Sequence, residues 1–296
     1  MPVILVTTSS FSLKNEGLIL NPYKRKLTER ELITLVEQHQ PEALIAGVEP
    51  ITESVFECAK KLKIIARVGA GLDNVDLHAA QRWGIKVIST PDAVTAPVAE
   101  LTVGLMLAAL RGIALSDRKM RQGVWERPQG RLLQGKQVGI AGAGRIGSAT
   151  ARLCQGFGAR IVFFDPFRSS EAYSFSPSLA ELAASSDILS LHMPYSADTH
   201  HIIDRHLLEV MKPEAILINA SRGGLVDEDA LVDALSTGRL AAAALDCFEQ
   251  EPYNGKLLQL DNVILTAHIG SYAREARIKM EQEALHAVLS YFNLDT

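Results

Sequence analysis

The sequence lacks most of the features that mark secreted, membrane-bound or nucleic-acid-binding proteins. Its 296 residues contain 3 cysteines, Cys58, Cys154 and Cys247, and no CxxC pair. That argues against a disulfide framework and a cysteine zinc site, and for thiols kept in a reducing compartment; a cytoplasmic location is expected. Basic residues are not in excess: 30 Lys and Arg stand against 34 Asp and Glu, a formal net charge of −4. The footprint of a nucleic-acid binder is missing, and the short run Lys24-Arg25-Lys26 reads as a solvated lead-in to a helix. Long apolar runs are missing too. Residues 101–110 contain Thr102 and are bounded by Glu100 and Arg111, whereas a bilayer span needs roughly 20 apolar residues. This stretch reads as a buried helix, and no membrane association is expected. Residues 1–6 lack the basic start and cleavage site of a secretory signal. His192, His200, His201 and His206 cluster in sequence, yet no Cys or paired acid gives them metal-site spacing, so no metal is expected. No GxSxG elbow occurs, and Cys247 lies in a strand-like run that suits an inert thiol.

What is present is ordinary globular material, 47% hydrophobic and 22% charged, in a chain long enough for two domains. Short β-like runs alternate with helical segments, the pattern of βαβ units around parallel sheets. In the first half, strands are expected at residues 3–7, 43–47, 64–68 and 85–89. Helices are expected at 27–38, where Thr28 and Glu31 form a capping signature, after Thr52, and at 75–83, closed by Gly84. A long helix is expected to begin near Pro97 and, being apolar all round, to be buried on all sides. Residues 112–135, with Trp125, suit an extended arm. From Lys136 the runs 137–141, 160–164, 187–191, 215–220, 240–248 and 263–267 give a six-strand dinucleotide-binding layout. A last helix at 271–292 returns to the first unit. The expected fold is α/β: two Rossmann-like or flavodoxin-like parallel-sheet domains with an active-site cleft between them. One, residues 1–92 plus 271–296, binds substrate and is discontinuous; the other, 93–270, binds the cofactor.

Gly142-Ala-Gly144-Arg-Ile-Gly147 follows one strand-like run and precedes Asp165 at the end of the next. The first glycine allows a tight turn, the second lets a pyrophosphate approach the backbone, and the third permits close helix–strand packing. Helix N-terminal amides would meet the phosphates. Asp165 would accept from ribose hydroxyls and repel a 2′-phosphate, favouring NAD over NADP, a preference slightly weakened by Arg168. Three further polar residues, Arg222, Glu251 and His268, each follow an apolar run. In an open parallel sheet such positions converge on the crevice at the carboxyl ends of the strands. A guanidinium grips a carboxylate in bidentate fashion. Histidine exchanges protons near neutral pH, and a neighbouring acid fixes its ring.

At these residues the chain resembles the D-isomer-specific 2-hydroxyacid dehydrogenases, particularly their phosphoglycerate dehydrogenase branch. The likeness extends from about Ala43 through residues 67–76 (RVGAGLDNVD), 97–101 (PVAEL), 142–147, 191–194 (LHMP), 219–227 (NASRGGLVD), 244–252 and 268–270. The resemblance implies that Arg222, Glu251 and His268 are the catalytic trio. It implies that the amides of Val68, Gly69 and Ala70 meet the substrate carboxylate, with Arg222 and His268 also touching substrate. It places Asp246 at the nicotinamide carboxamide and Pro194 and Thr199 near the adenosine. Arg145, Ile146, His192, Ala220, Ser221, His268 and Gly270 complete the expected cofactor contacts. The family often has proline where this chain has Ala267. An extra regulatory domain found on longer phosphoglycerate dehydrogenases has no counterpart here, so serine feedback is not expected. The implied partner is a small 2-hydroxy or 2-keto acid; if it is phosphorylated, Arg67, Arg127 and Arg131 are candidate cations. Alternatives are a glyoxylate/hydroxypyruvate or broad 2-keto acid reductase, and a non-catalytic NAD-sensing scaffold like the corepressors built on this fold. A homodimer through residues 97–135 is expected.

Overall fold

In a computed structural model describing residues 2–13 and 17–294, the chain forms two compact units. The first comprises Met1–Val94 and Ser271–Thr296, the second Thr95–Gly270. The outermost residues of the expected first domain, Met1 and Thr296, lie outside the described residues.

The first unit is built on five parallel strands: β1 (Ile4–Val6), β2 (Leu18–Leu20), β3 (Ala43–Ala46), β4 (Ile64–Arg67) and β5 (Lys86–Ser89), in the order β2-β1-β3-β4-β5. Helices α1 (Glu29–His39), α2 (Glu53–Cys58) and α3 (Leu77–Arg82) connect them. The capping signature is realised: Glu31 N–H donates to Thr28 Oγ1, and Thr28 N–H donates to Glu31, so α1 starts two residues later than expected. Leu5, Leu32, Phe56 and Ile65 centre a core with no exposure to solvent. Strand β2, only three residues long and partly exposed, has no counterpart in the sequence reading.

Helix α4 (Pro91–Arg111) starts six residues before the expected Pro97, which falls inside it. Pro91 takes the first-turn position where its missing N–H costs nothing, and Pro97 forfeits one later hydrogen bond. By length and composition alone α4 could cross a bilayer, but half of its most apolar stretch is buried in the protein. Val103, Leu105, Met106 and Leu110 enter the core, whereas Gly104 is exposed and Leu101 and Leu107 are half-buried. Burial on all sides is thus not achieved within one chain. The expected extended arm is partly helical: α5 (Ile113–Arg121) forms after Gly112, supported by an Asp117–Arg121 pair one turn apart.

The second unit contains β6 (Gln137–Ala141), α6 (Arg145–Gly156), β7 (Arg160–Phe164), β8 (Ser174–Phe175), α7 (Leu179–Ser185), β9 (Ile188–Leu191), α8 (Arg205–Val210), β10 (Ile216–Asn219), α9 (Glu228–Ser236), β11 (Ala242–Leu245) and β12 (Val263–Leu265). The sheet is parallel, ordered β12-β11-β10-β9-β6-β7-β8. It has seven strands rather than six, because the two-residue β8 adds an edge. The chain reverses direction across the sheet between β6 and β9, the topological switch point at which such sheets bind ligands. Both faces are covered, as all-parallel sheets require: Ile216 and Ile218 join the core with α4 and α6, and Leu217 joins the core with α7, α8 and α9. Helix α10 (Arg274–Tyr291) belongs to the first unit, where it contacts β3 and β4.

Candidate active site

The glycine loop joins β6 to α6 at the carboxyl edge of the second sheet. Gly142 has φ +107°, and its N–H donates to Phe164 O. A Cβ on Gly147 would stand 2.1 Å from Gly142 O, so only glycine lets α6 lie this close to the strand. Gly144 is the N-cap and makes no side-chain cap bond, and a Cβ there would meet nothing within 4 Å. The loop therefore presents open space at Gly144, at the N-terminus of α6 beside Arg145 and Ile146, a fit for a pyrophosphate. Asp165, one residue past β7, accepts hydrogen bonds from Ala143 N–H and Phe167 N–H, both 2.9 Å. Its carboxylate shapes the loop, and still has acceptor capacity beyond these two bonds. Arg168 Nη1 donates to Ala143 O at 3.4 Å. A cleft of about 560 Å³ is lined here by Ala143, Ser148, Phe167, Arg168 and Tyr173.

Past β9, His192 hydrogen-bonds through Nε2 to Ser190 Oγ at 2.9 Å. Burial holds its imidazole well below the ordinary range, down to about 4, so the ring is neutral near pH 7. Pro194 and Thr199 close a turn in which Thr199 Oγ1 donates to Pro194 O and accepts from Ser196 N–H.

Past β10, Asn219 fixes the loop that carries Arg222. Its Nδ2 donates to Arg222 O at 2.8 Å and its Oδ1 accepts from Ser221 N–H at 3.1 Å. Ser221 Oγ donates to Met193 O, fastening this loop, with Ala220, to the one past β9. Arg222 is half-buried. A Cβ on Gly223 would stand 1.9 Å from Phe248 C, so the loops past β10 and β11 touch backbone to backbone.

Past β11 and β12 the acid and the imidazole meet. His268 Nδ1 lies 2.9 Å from Glu251 Oε1 and 3.0 Å from Oε2. His268 has φ +51°, and the Glu251–Pro252 peptide is cis. Asp246, 1% exposed, accepts from Thr266 Oγ1 at 2.6 Å, Ile269 N–H at 2.8 Å and Gly270 N–H at 2.8 Å. It thus grips the residues on both sides of His268, a role that the sequence reading missed. The reading missed the role of Asn219 as well, since backbone amides as partners leave no trace in residue type. Cys247 is buried and its thiol is pushed far up by desolvation, as an inert thiol would be.

In the first unit, Val68, Gly69 and Ala70 follow β4. Val68 N–H already donates to Ala46 O at 2.8 Å, and Gly69 N–H to Thr90 Oγ1 at 2.8 Å. Two of the three amides are spent inside the unit, because Val68 continues the β3–β4 ladder and Thr90 reaches back to the turn.

Residues 103–270 match the sequence model of the D-isomer specific 2-hydroxyacid dehydrogenase, NAD binding domain. A D-3-phosphoglycerate dehydrogenase of Methanocaldococcus jannaschii is 42% identical over 85% of this chain and 49% of its own length. The chain thus spans about half of that relative. A hydroxypyruvate reductase of Thermotoga maritima is 40% identical over 83% of this chain and 82% of its own. A solved structure of a Thermus thermophilus protein superposes with a TM-score of 0.90 and 37% identity, covering 98% of this chain and 96% of that one.

Proposed function

We propose that this chain, which belongs to the D-isomer specific 2-hydroxyacid dehydrogenase family, interconverts a D-2-hydroxy acid and its 2-keto acid with NAD. The observation that carries the reading is the His268–Glu251 pair, set at the same sheet edge as a glycine loop with open space at Gly144, the N-cap of α6. Gly142, Gly144 and Gly147 would cradle the pyrophosphate and Asp165 would face the adenosine ribose. When bound, NAD supplies the acceptor or donor of hydride at its nicotinamide ring.

The protein's own part is charge and proton placement. The Arg222 fork holds the substrate carboxylate and polarises the adjacent carbonyl. His268 Nδ1 is held by Glu251, which leaves Nε2 to give the substrate oxygen a proton in reduction and remove it in oxidation. Asp246 keeps the His268 backbone in place through Ile269 and Gly270.

The substrate proposed first is a phosphorylated three-carbon acid of the 3-phosphoglycerate type, supported by the Methanocaldococcus jannaschii relative. The Thermotoga maritima relative, far more fully covered, supports an unphosphorylated hydroxypyruvate-type acid. Following NADH absorbance against keto acids with and without a phosphate separates the two. No oxidation of NADH with any of them, alongside normal NADH binding, would refute the enzymatic reading.

A second copy of the chain is the proposed partner, through residues 97–135. The support is a set of exposed apolar side chains there: Trp125 at 79%, Leu132 at 63% and Ile113 at 55%. Light scattering at micromolar concentration checks this; a monomer refutes it. A cytoplasmic location belongs to the same reading, supported by three free cysteines.

A further inference from the structure

His201 belongs to none of the groups assigned above, yet it ties together three loops of the second unit's sheet edge. It sits at φ +51°, a left-handed conformation that side chains other than glycine adopt rarely. Its N–H donates to Gly224 O at 2.8 Å, two residues past Arg222. Its Nε2 lies 2.7 Å from Glu249 Oε1, two residues before Glu251. Its ring stacks on His200 with centroids 3.8 Å apart, and His200 Nδ1 lies 3.2 Å from Tyr195 Oη. Tyr195 in turn packs against Gly224, where a Cβ would stand 2.5 Å from the ring. His201 therefore joins the turn containing Pro194 and Thr199 to the Arg222 loop through its backbone, and to the Glu251 loop through its ring.

The Glu249 end of the link is itself anchored. Glu249 N–H donates to Glu228 Oε1 at 2.8 Å, at the start of α9. Phe248 N–H donates to Glu251 Oε1 at 3.2 Å, the same oxygen that faces His268 Nδ1. A shift of residues 248–249 would be passed to the Glu251 carboxylate, and through it to the orientation of the imidazole. The pair is also exposed enough, at 33% and 36% for the two side chains, to contribute little to folding stability.

We propose that His201 is a positioning residue: by holding Glu249 it fixes the Glu251 loop against the Arg222 loop, and so sets the aim of His268. This rests on the reading of Glu251 and His268 as the proton-transfer pair.

The test uses the full chain with NADH and its best keto acid. His201→Gly suits the positive φ, removes the ring and should fold; Glu249→Ala removes the other end of the link. Each is expected to lower kcat about tenfold, as small misplacements of reacting groups do. KM for NADH should stay within twofold of wild type and the thermal midpoint should be near unchanged. The double variant is expected to be no slower than either single one. Glu251→Gln is measured in parallel. If Glu251→Gln is slow and His201→Gly keeps wild-type kcat, the positioning role is overturned while the catalytic reading stands. If Glu251→Gln keeps wild-type kcat, both fall. A rise in NADH KM alone, additive losses in the double variant, or a kcat loss that follows a loss of folded protein would also overturn it.

Discussion

The imidazole of His268 faces the carboxylate of Glu251 across 2.9 Å, although 16 residues and a cis-proline turn lie between them in the chain. The contact exists because β11 and β12 are adjacent and parallel, so the segments past their carboxyl ends come out side by side. Around it, Asp246 holds the His268 segment and Asn219 holds the Arg222 segment.

Arg222→Lys keeps the charge and loses the planar fork. With a 2-keto acid substrate, kcat/KM is expected to fall about 10²-fold, while NADH binding by fluorescence is unchanged. Near-normal kcat/KM would remove the bidentate role.

Gly144 and Gly147 separate cofactor binding from folding. Gly147→Ala drives a Cβ to within 2.1 Å of a backbone oxygen and is expected to destabilise the protein by about 3 kcal/mol in urea unfolding. Gly144→Ala meets nothing within 4 Å and should leave stability intact. Its methyl occupies the approach to the helix amides, so NADH affinity should drop at least tenfold in a fluorescence titration. Unchanged affinity would show that the pyrophosphate lies elsewhere.

Asp246→Asn replaces a buried carboxylate that accepts from two amides and a hydroxyl. Loss of charge-assisted bonds of this kind costs about 2–3 kcal/mol, measurable in denaturant titration. A variant as stable as wild type would mean that the His268 segment is held by other contacts.

His192 gives a pH signature. Its folded pKa is depressed by burial to about 4, below the ordinary 6.5, so the unfolded chain binds the proton more tightly than the folded one. Its contribution to stability is complete above pH 6.5 and is lost as pH falls towards 4. By linkage, the wild type should lose about 2 kcal/mol more than His192→Asn between pH 7 and pH 5. Equal losses in the two proteins would contradict a buried neutral ring.

Much of this was legible in the sequence, for definite reasons. Strand β6 and the start of α6 match the sequence reading because glycines punctuate an apolar run and a helical one. The capping signature at Thr28 needs only residues three apart. Strands β2 and β8 were not legible: two or three residues are too few to show a period, and pairing with a neighbour defines them. The run at 240–248 read too long because Cys247 and Phe248 are buried in the turn past β11, not in the strand. The start of α4 was misread because Pro91 and Pro97 both suit a first turn. At the site, glycines and ionisable side chains announce themselves. The bonds that hold them, from Asp246 to backbone N–H groups and from Asn219 to a backbone N–H and a carbonyl, are products of tertiary structure alone.

The central claim is that His268, oriented by Glu251, moves the proton while NAD binds independently of it. The most direct measurement pairs single-turnover NADH oxidation with NADH titration in His268→Asn. The account predicts a loss of turnover of about 10²- to 10⁴-fold with NADH affinity within twofold of wild type. Turnover near the wild-type rate, or loss of NADH binding together with turnover, would contradict it.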